Sequence, residues 1–220
     1  MATNPRDPLI DALVADLRPV RPRNWTREAL LLAVLVGVEI LLSVVLRGVR
    51  PDMPQAMTGM AFWWKSVSLA IFAGLAVAAA LVSLDPAVTT APRLSRPWQA
   101  LAILAPVALA LGWIIDAGGA GSQAILDRLA WHEGMDCLGA ITLLALPPLL
   151  GLGILMRRGA STQPARTALA IGLAAAGIGA FVFAFRCEHE DPLYIAVWYG
   201  GGVLGLALLA RLVLPRLARW

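Results

Sequence analysis

The chain has 220 residues, 59% of them hydrophobic and 15% charged, with a mean hydropathy of +0.75; a soluble domain carries roughly 25% charged residues. Its net charge is +4 and its pI 9.8, but seventeen of the eighteen basic residues are Arg, set in short clusters between apolar runs. That pattern fits membrane topology better than a nucleic-acid-binding face, while two cysteines are too few for a disulfide scaffold or a four-thiolate zinc site.

Residues 1–27 contain Arg6, Asp7, Asp11, Asp16, Arg18, Arg21 and Arg23, so they offer no apolar core for a cleavable signal. Asp7 and Pro8 open a pattern, Leu9, Ile10, Leu13, Val14 and Leu17, that predicts a short amphipathic helix stopped by Arg18-Pro19 and Pro22. Such a stripe can lie on a bilayer or in a partner's groove. The acidic Asp7, Asp11 and Asp16 favour the partner. The expected organisation is a cytoplasmic segment, 1–27, ahead of a membrane domain, 28–220.

Six apolar stretches near the ~20 residues needed to cross a bilayer follow, at about 29–48, 61–83, 98–116, 138–156, 167–186 and 194–214. They predict an all-α integral membrane protein, a bundle of six transmembrane helices. Glu39 lies near the middle of the first span and Lys65 near the start of the second; their expected use is structural, with Lys65 snorkelling outward and Glu39 either protonated or paired with Lys65. Pro106 interrupts the third span, and Pro147-Pro148 predict a kink in the fourth. Gly172, Gly177 and Gly179 in the fifth span, and Gly201 and Gly205 in the sixth, predict close helix approach. Trp63, Trp64, Trp98, Trp113, Trp198, Tyr194 and Tyr199 are expected in an aromatic belt at the membrane interfaces. Gly118-Gly119-Ala120-Gly121-Ser122 lacks the lysine of a phosphate loop and follows no strand, so it reads as a linker. No nucleophile triad or hydrolytic pair is visible, and no enzyme is expected.

Positive residues near helix ends are retained in the cytoplasm. With the N-terminus inside, thirteen of the eighteen basic residues fall on the inner side, leaving Arg47, Arg50, Lys65, Arg128 and Arg186 outside. Both termini are therefore expected in the cytoplasm of a bacterium, with the chain in its inner membrane and lipid around it.

Cys137 stands at the outer start of the fourth span and Cys187 at the outer end of the fifth, so a hairpin of near-equal arms brings both thiols to one outer level. One reading is a structural bridge in the oxidising periplasm. The other is a redox or metal sensor: His132, Glu133 and Asp136 precede one cysteine, and Glu188, His189, Glu190 and Asp191 follow the other. Cys137, Cys187, His132 and His189 would make a soft to borderline site suited to zinc, cadmium or copper(I).

The chain resembles the NrsF-type membrane anti-sigma factors, negative regulators of an extracytoplasmic-function (ECF) sigma factor. The resemblance runs over most of the chain. It rests on Leu9-Ile10-Asp11-Ala12-Leu13 with Asp16-Leu17-Arg18-Pro19-Val20, on Phe62-Trp63-Trp64-Lys65, and on Cys137 leading into Leu146-Pro147-Pro148-Leu149. Arg157-Arg158-Gly159-Ala160, then Cys187, Asp191-Pro192-Leu193 and Trp198-Tyr199, complete it. It implies a six-span protein that holds its sigma factor at the membrane through cytoplasmic segments and releases it on stress, with the two periplasmic cysteines required. Residues 7–18, with Arg21 and Arg23, are then the expected sigma-binding segment. Oxidation or heavy-metal capture at the cysteine pair is the expected signal, with no direct nucleic-acid contact and no small-molecule substrate. The alternative from another class is a small metal-ion transporter or channel dependent on Glu39 or Lys65; a thiol-redox enzyme is disfavoured because no second cysteine pair relays electrons.

Overall fold

An apolar run surrounded by apolar solvent must satisfy its backbone hydrogen bonds within itself, which makes it a helix. The computed structural model describes residues 24–85, 91–116, 125–159, 161 and 163–217, and among these it contains helices and no strand. Its helices are α1 (Trp25–Arg47), α2 (Met53–Ala56), α3 (Met60–Ser83), α4 (Ala91–Asp116), α5 (Ile125–Leu129), α6 (Trp131–Arg158), α7 (Pro164–Ala184), α8 (Pro192–Tyr194) and α9 (Gly200–Leu217). A π-helical turn, Ile195–Tyr199, joins α8 to α9. Six stretches are long and apolar enough to cross a membrane: Trp25–Arg47, Met60–Ser83, Arg96–Ile114, Asp127–Arg158, Pro164–Ala184 and Pro192–Leu217. The amphipathic helix expected at residues 7–18 lies outside the described residues, as do Arg21 and Arg23.

Local chemistry sets the helix ends. The Asn24 side chain accepts from the Arg27 N–H at 3.2 Å and so caps α1. Helix α6 starts at Trp131, ahead of its apolar run, with Glu133 in its first turn and Arg157 and Arg158 in its last, each matching the helix dipole. Pro147 and Pro148 lie within it, yet the helix is continuous from end to end.

The core is organised around α7. Four fifths of its apolar window (78%) is buried, against 11% for α1, and α3, α6 and α9 all pack on it. Its small residues permit this. A Cβ at Gly172 would lie 2.6 Å from the Ala207 Cα of α9, and one at Gly179 would lie 2.7 Å from the Ile141 carbonyl oxygen of α6. Gly177 similarly meets Phe72 and Ala73 of α3. The expected close approach through Gly201 and Gly205 does not occur, because both face open space on the outer side of α9. Gly202, Val203, Ala207 and Ala210 form the buried face instead.

Candidate functional site: a buried thiol cluster under a clamped loop

Consecutive long helices alternate in direction, so one end of the bundle gathers the C-terminal ends of α1 and α7 with the N-terminal ends of α3, α6 and α8. The Arg50 N–H donates to the Phe185 carbonyl at 3.3 Å, tying the connection after α1 to the end of α7. At the opposite end the Thr167 hydroxyl donates to the Ser83 carbonyl at 3.1 Å. Exposed arginines, Arg96, Arg157, Arg158, Arg166, Arg211 and Arg216, mark that second end.

Both cysteines lie at the first end, in the same buried cluster. Cys137 is in the second turn of α6 and 1% exposed; Cys187 follows α7 and is 7% exposed, and the two sulfurs are not bonded to each other. Three aromatic side chains from the α8–α9 rod close over them. Tyr194 directs its hydroxyl to the Cys137 thiol, and Tyr199 turns its buried hydroxyl toward Cys187 without closing a hydrogen bond of ordinary geometry. Trp198 donates from its indole N–H to the Leu129 carbonyl at 2.7 Å and occupies the space that a Cβ at Gly134 would need. The aromatic-belt expectation therefore fails for Tyr194, Trp198 and Tyr199, which are 1%, 4% and 1% exposed. Residues 194, 195, 198 and 199, spaced i, i+1, i+4 and i+5, share one helical face, and that face is buried. Of the others, Trp63 and Trp113 do stay exposed, and Trp64 and Trp98 are half-buried.

The loop 186–191 lies over this cluster and is held from four sides. Lys65 of α3, 1% exposed, donates from Nζ to the carbonyls of Cys187 at 2.8 Å and His189 at 2.9 Å, and its charge acts on both thiols. Arg50 grips Asp52 through Nε at 2.7 Å and Nη2 at 2.6 Å, and its Nη1 reaches Glu190 at 2.7 Å and the Cys187 carbonyl at 3.4 Å. This bidentate pairing holds the Asp52 carboxyl below the usual carboxylate range, and the bonds to Asp52 and Glu190 raise the guanidinium above its ordinary value against the effect of burial. Arg128 pairs with Asp191 at 2.6 Å, and the other oxygen of Asp191 caps the N–H groups of Leu193 at 2.7 Å and Tyr194 at 3.3 Å. His189 pairs with Glu133 at 2.7 Å and stacks on Tyr194, with ring centroids 4.2 Å apart.

The expected Glu39–Lys65 pairing is absent. Lys65 neither snorkels nor meets Glu39, because its ammonium is taken by two loop carbonyls at the thiol end; Glu39 is 6% exposed and neither of its oxygens has a hydrogen-bond partner. His132 is exposed on the first turn of α6, whereas His189 is committed to Glu133 and Tyr194. Among the described residues no three His, Cys, Asp or Glu side chains stand together as a metal site would require. Arg50, Arg128, Tyr194 and Tyr199 were not foreseen as parts of the site. Only Asp191-Pro192, with its cap-then-proline spacing, carried a local signal.

The geometry defines a helical protein with six helices long and apolar enough to cross a membrane, whose distinctive chemistry is a pair of buried thiols beneath an ion-paired loop. A family model described as "Negative regulator of sigma F" matches residues 13–220. A curated relative, anti-sigma-F factor NrsF of Caulobacter vibrioides (strain NA1000 / CB15N), is 34% identical over 97% of this chain and 99% of that protein. The chain belongs to the negative regulator of sigma F family. No solved structure matches it.

Proposed function

We propose that the chain is a multi-pass inner-membrane anti-sigma factor with both termini in the cytoplasm, and that it sequesters an ECF-type sigma factor until its thiol pair reacts. Family membership over nearly the whole chain is the observation that carries the regulatory reading. The membrane reading is supported by the exposed leucines and valines of α1, among them Leu30, Leu41, Val45 and Leu46 at 61 to 73% exposure, which need lipid around them. The arginine-rich end of the bundle is then cytoplasmic and the thiol end periplasmic. Residues 7–18, with Arg21 and Arg23, supply the sigma-binding segment.

The signal enters at Cys137 and Cys187. A two-electron oxidant removes two electrons as the thiols lose two protons and form one S–S bond; a soft metal ion would instead bridge two thiolates. Either reaction draws Cys187 toward α6. It thereby strains a loop whose position is fixed by Lys65, Arg50 and Arg128, and it repacks α6 against α7. A signal can shift the bundle only by its differential affinity for two arrangements, and α6, which carries Cys137 and two prolines at mid-length, is the element that would adopt them.

The test is co-purification from native membranes in detergent, comparing the full chain with one lacking residues 1–20. A sigma factor recovered with the full chain alone supports both the function and the binding segment. If neither form brings down a sigma factor, the anti-sigma reading is wrong and ion transport in liposomes, dependent on Glu39 or Lys65, becomes the reading to pursue.

A further inference from the structure

Among the described residues, the thiol site leaves one buried charged-type side chain unused. Glu39 lies on the inward stripe of α1, with Leu32, Leu35, Val36 and Ile40, and it is the one residue of that stripe with an acidic group. Both carboxyl oxygens are shut off from solvent without a partner. An ionised carboxylate in such surroundings is strongly disfavoured unless paired. Its neighbours offer no pairing charge: Val36 and Ile40, on either side of it, pack with Ala73 and Val77 of α3, Leu144 of α6, and Ile178 and Val182 of α7. The charged groups of those three helices stand toward their ends, Lys65 on α3, Glu133, Asp136, Arg157 and Arg158 on α6, and Arg166 on α7.

At the level of Glu39, α6 carries its two prolines. Leu35 Cδ2 lies 4.0 Å from the Cβ position of Gly151. The two helices run in opposite directions, so four residues further along α1, about 6 Å of rise, bring Glu39 level with about residue 147. Leu144 packs against the same buried residues as Val36 and Ile40. Pro147 and Pro148 have no N–H, so the carbonyls four residues earlier, those of Leu143 and Leu144, lose their intrahelical donors.

We propose that Glu39 is a proton-binding site within the first span, and that its neutral carboxyl, by side-chain rotation, donates a hydrogen bond to a carbonyl left free by Pro147 and Pro148. The bond latches α1 to α6. Helix α1 is the least buried of the long helices together with the third span, and it leads directly out of residues 1–23, so the latch fixes the helix that carries that segment. The inference stands apart from the sigma-factor reading, because it concerns helix contact and protonation alone.

The experiment is disulfide cross-linking of Leu35→Cys with Gly151→Cys in the full chain, in native membranes, with Cys137 and Cys187 changed to serine. Interhelical hydrogen bonds in membranes change such equilibria ~3- to 20-fold. Glu39→Met, which keeps the length and removes the donor, is expected to slow cross-linking by that factor, whereas Glu39→Gln, whose amide still donates, keeps the rate. In a Pro147→Ala/Pro148→Ala background the Glu39→Met effect is expected to vanish, since the carbonyls regain their own donors. Equal rates for Glu39→Met and the parent chain overturn the latch; a Glu39→Met loss that persists without the prolines overturns the assigned acceptor. Infrared spectroscopy of the unsubstituted chain, compared with Glu39→Gln, reads the protonation itself independently of any folding defect in the cross-linking variants. A protonated carboxyl band at neutral pH, lost in Glu39→Gln, is expected, and a carboxylate band in its place overturns the proposal.

Discussion

Replacing Lys65 by methionine removes the central tether of the loop over the thiols while keeping its length and most of its volume. Two carbonyls lose a charged donor, at 2.8 and 2.9 Å. They are not left equally exposed to loss. The Cys187 carbonyl keeps Arg50 at 3.4 Å, but the His189 carbonyl retains only a weak approach of the Cys187 thiol at 4.0 Å. One part-buried acceptor therefore loses its charged donor, at a cost of about 1 to 3 kcal/mol, part of which is offset because a buried ammonium is no longer desolvated. That range corresponds to a loop-opening equilibrium ~5- to 150-fold more favourable. The assay is the rate at which a membrane-impermeant maleimide labels Cys137 and Cys187 in intact spheroplasts, since labelling of a buried thiol tracks the open population when reclosing is fast. Labelling in Lys65→Met is expected to rise several-fold for both cysteines, the offset bringing it toward the lower end of that range. An unchanged rate would refute the reasoning that Lys65 holds the loop shut.

Gly179→Val places a side chain where a Cβ alone would meet the Ile141 carbonyl at 2.7 Å, so α6 and α7 must separate at a cost of about 3 kcal/mol or more. Gly205→Ala, facing open space, should stay within about 0.5 kcal/mol, and thermal unfolding in detergent compares the two. Ala130 holds φ at +40° between α5 and α6, so Ala130→Gly is expected to raise stability by about 0.5 to 1 kcal/mol, after glycine's entropic cost, in the same assay; a lower midpoint would count against strain there. The Asp52 carboxyl is lowered by its hydrogen bonds to Arg50, so it contributes stability that is complete above its unfolded value near 4 and is lost as pH falls through the lower folded value. Unfolding midpoints measured between pH 6 and pH 2 should fall less steeply at the acid end in Asp52→Asn than in the parent chain.

Much of the fold was legible because hydropathy is a local property. Each apolar run had to become a helix, and the bounds read from sequence missed chiefly polar first turns such as Trp131–Glu133, which a hydropathy window leaves out. The central position of α7 was foreshadowed by Gly172, Gly177 and Gly179. The same reasoning failed for Gly201 and Gly205, because small residues permit approach without dictating which face of a helix receives it. Tyr194, Trp198 and Tyr199 sit near a helix start, where an aromatic belt would also place them; which way their shared face turns is decided by packing against other helices, which hydropathy does not report. The convergence of Cys137 and Cys187 followed from hairpin arithmetic. Their clamp did not, since Lys65, Arg50 and Arg128 reach residues 63 to 140 positions away in the chain.

The most direct test of the central claim, that the thiol pair governs release of a bound sigma factor, is retention of that sigma factor on native membranes before and after treatment with a peroxide or cadmium. The parent chain should release it on treatment, and the Cys137→Ser/Cys187→Ser chain should hold it throughout. Equal release from both chains would contradict the account and place the signal elsewhere in the protein.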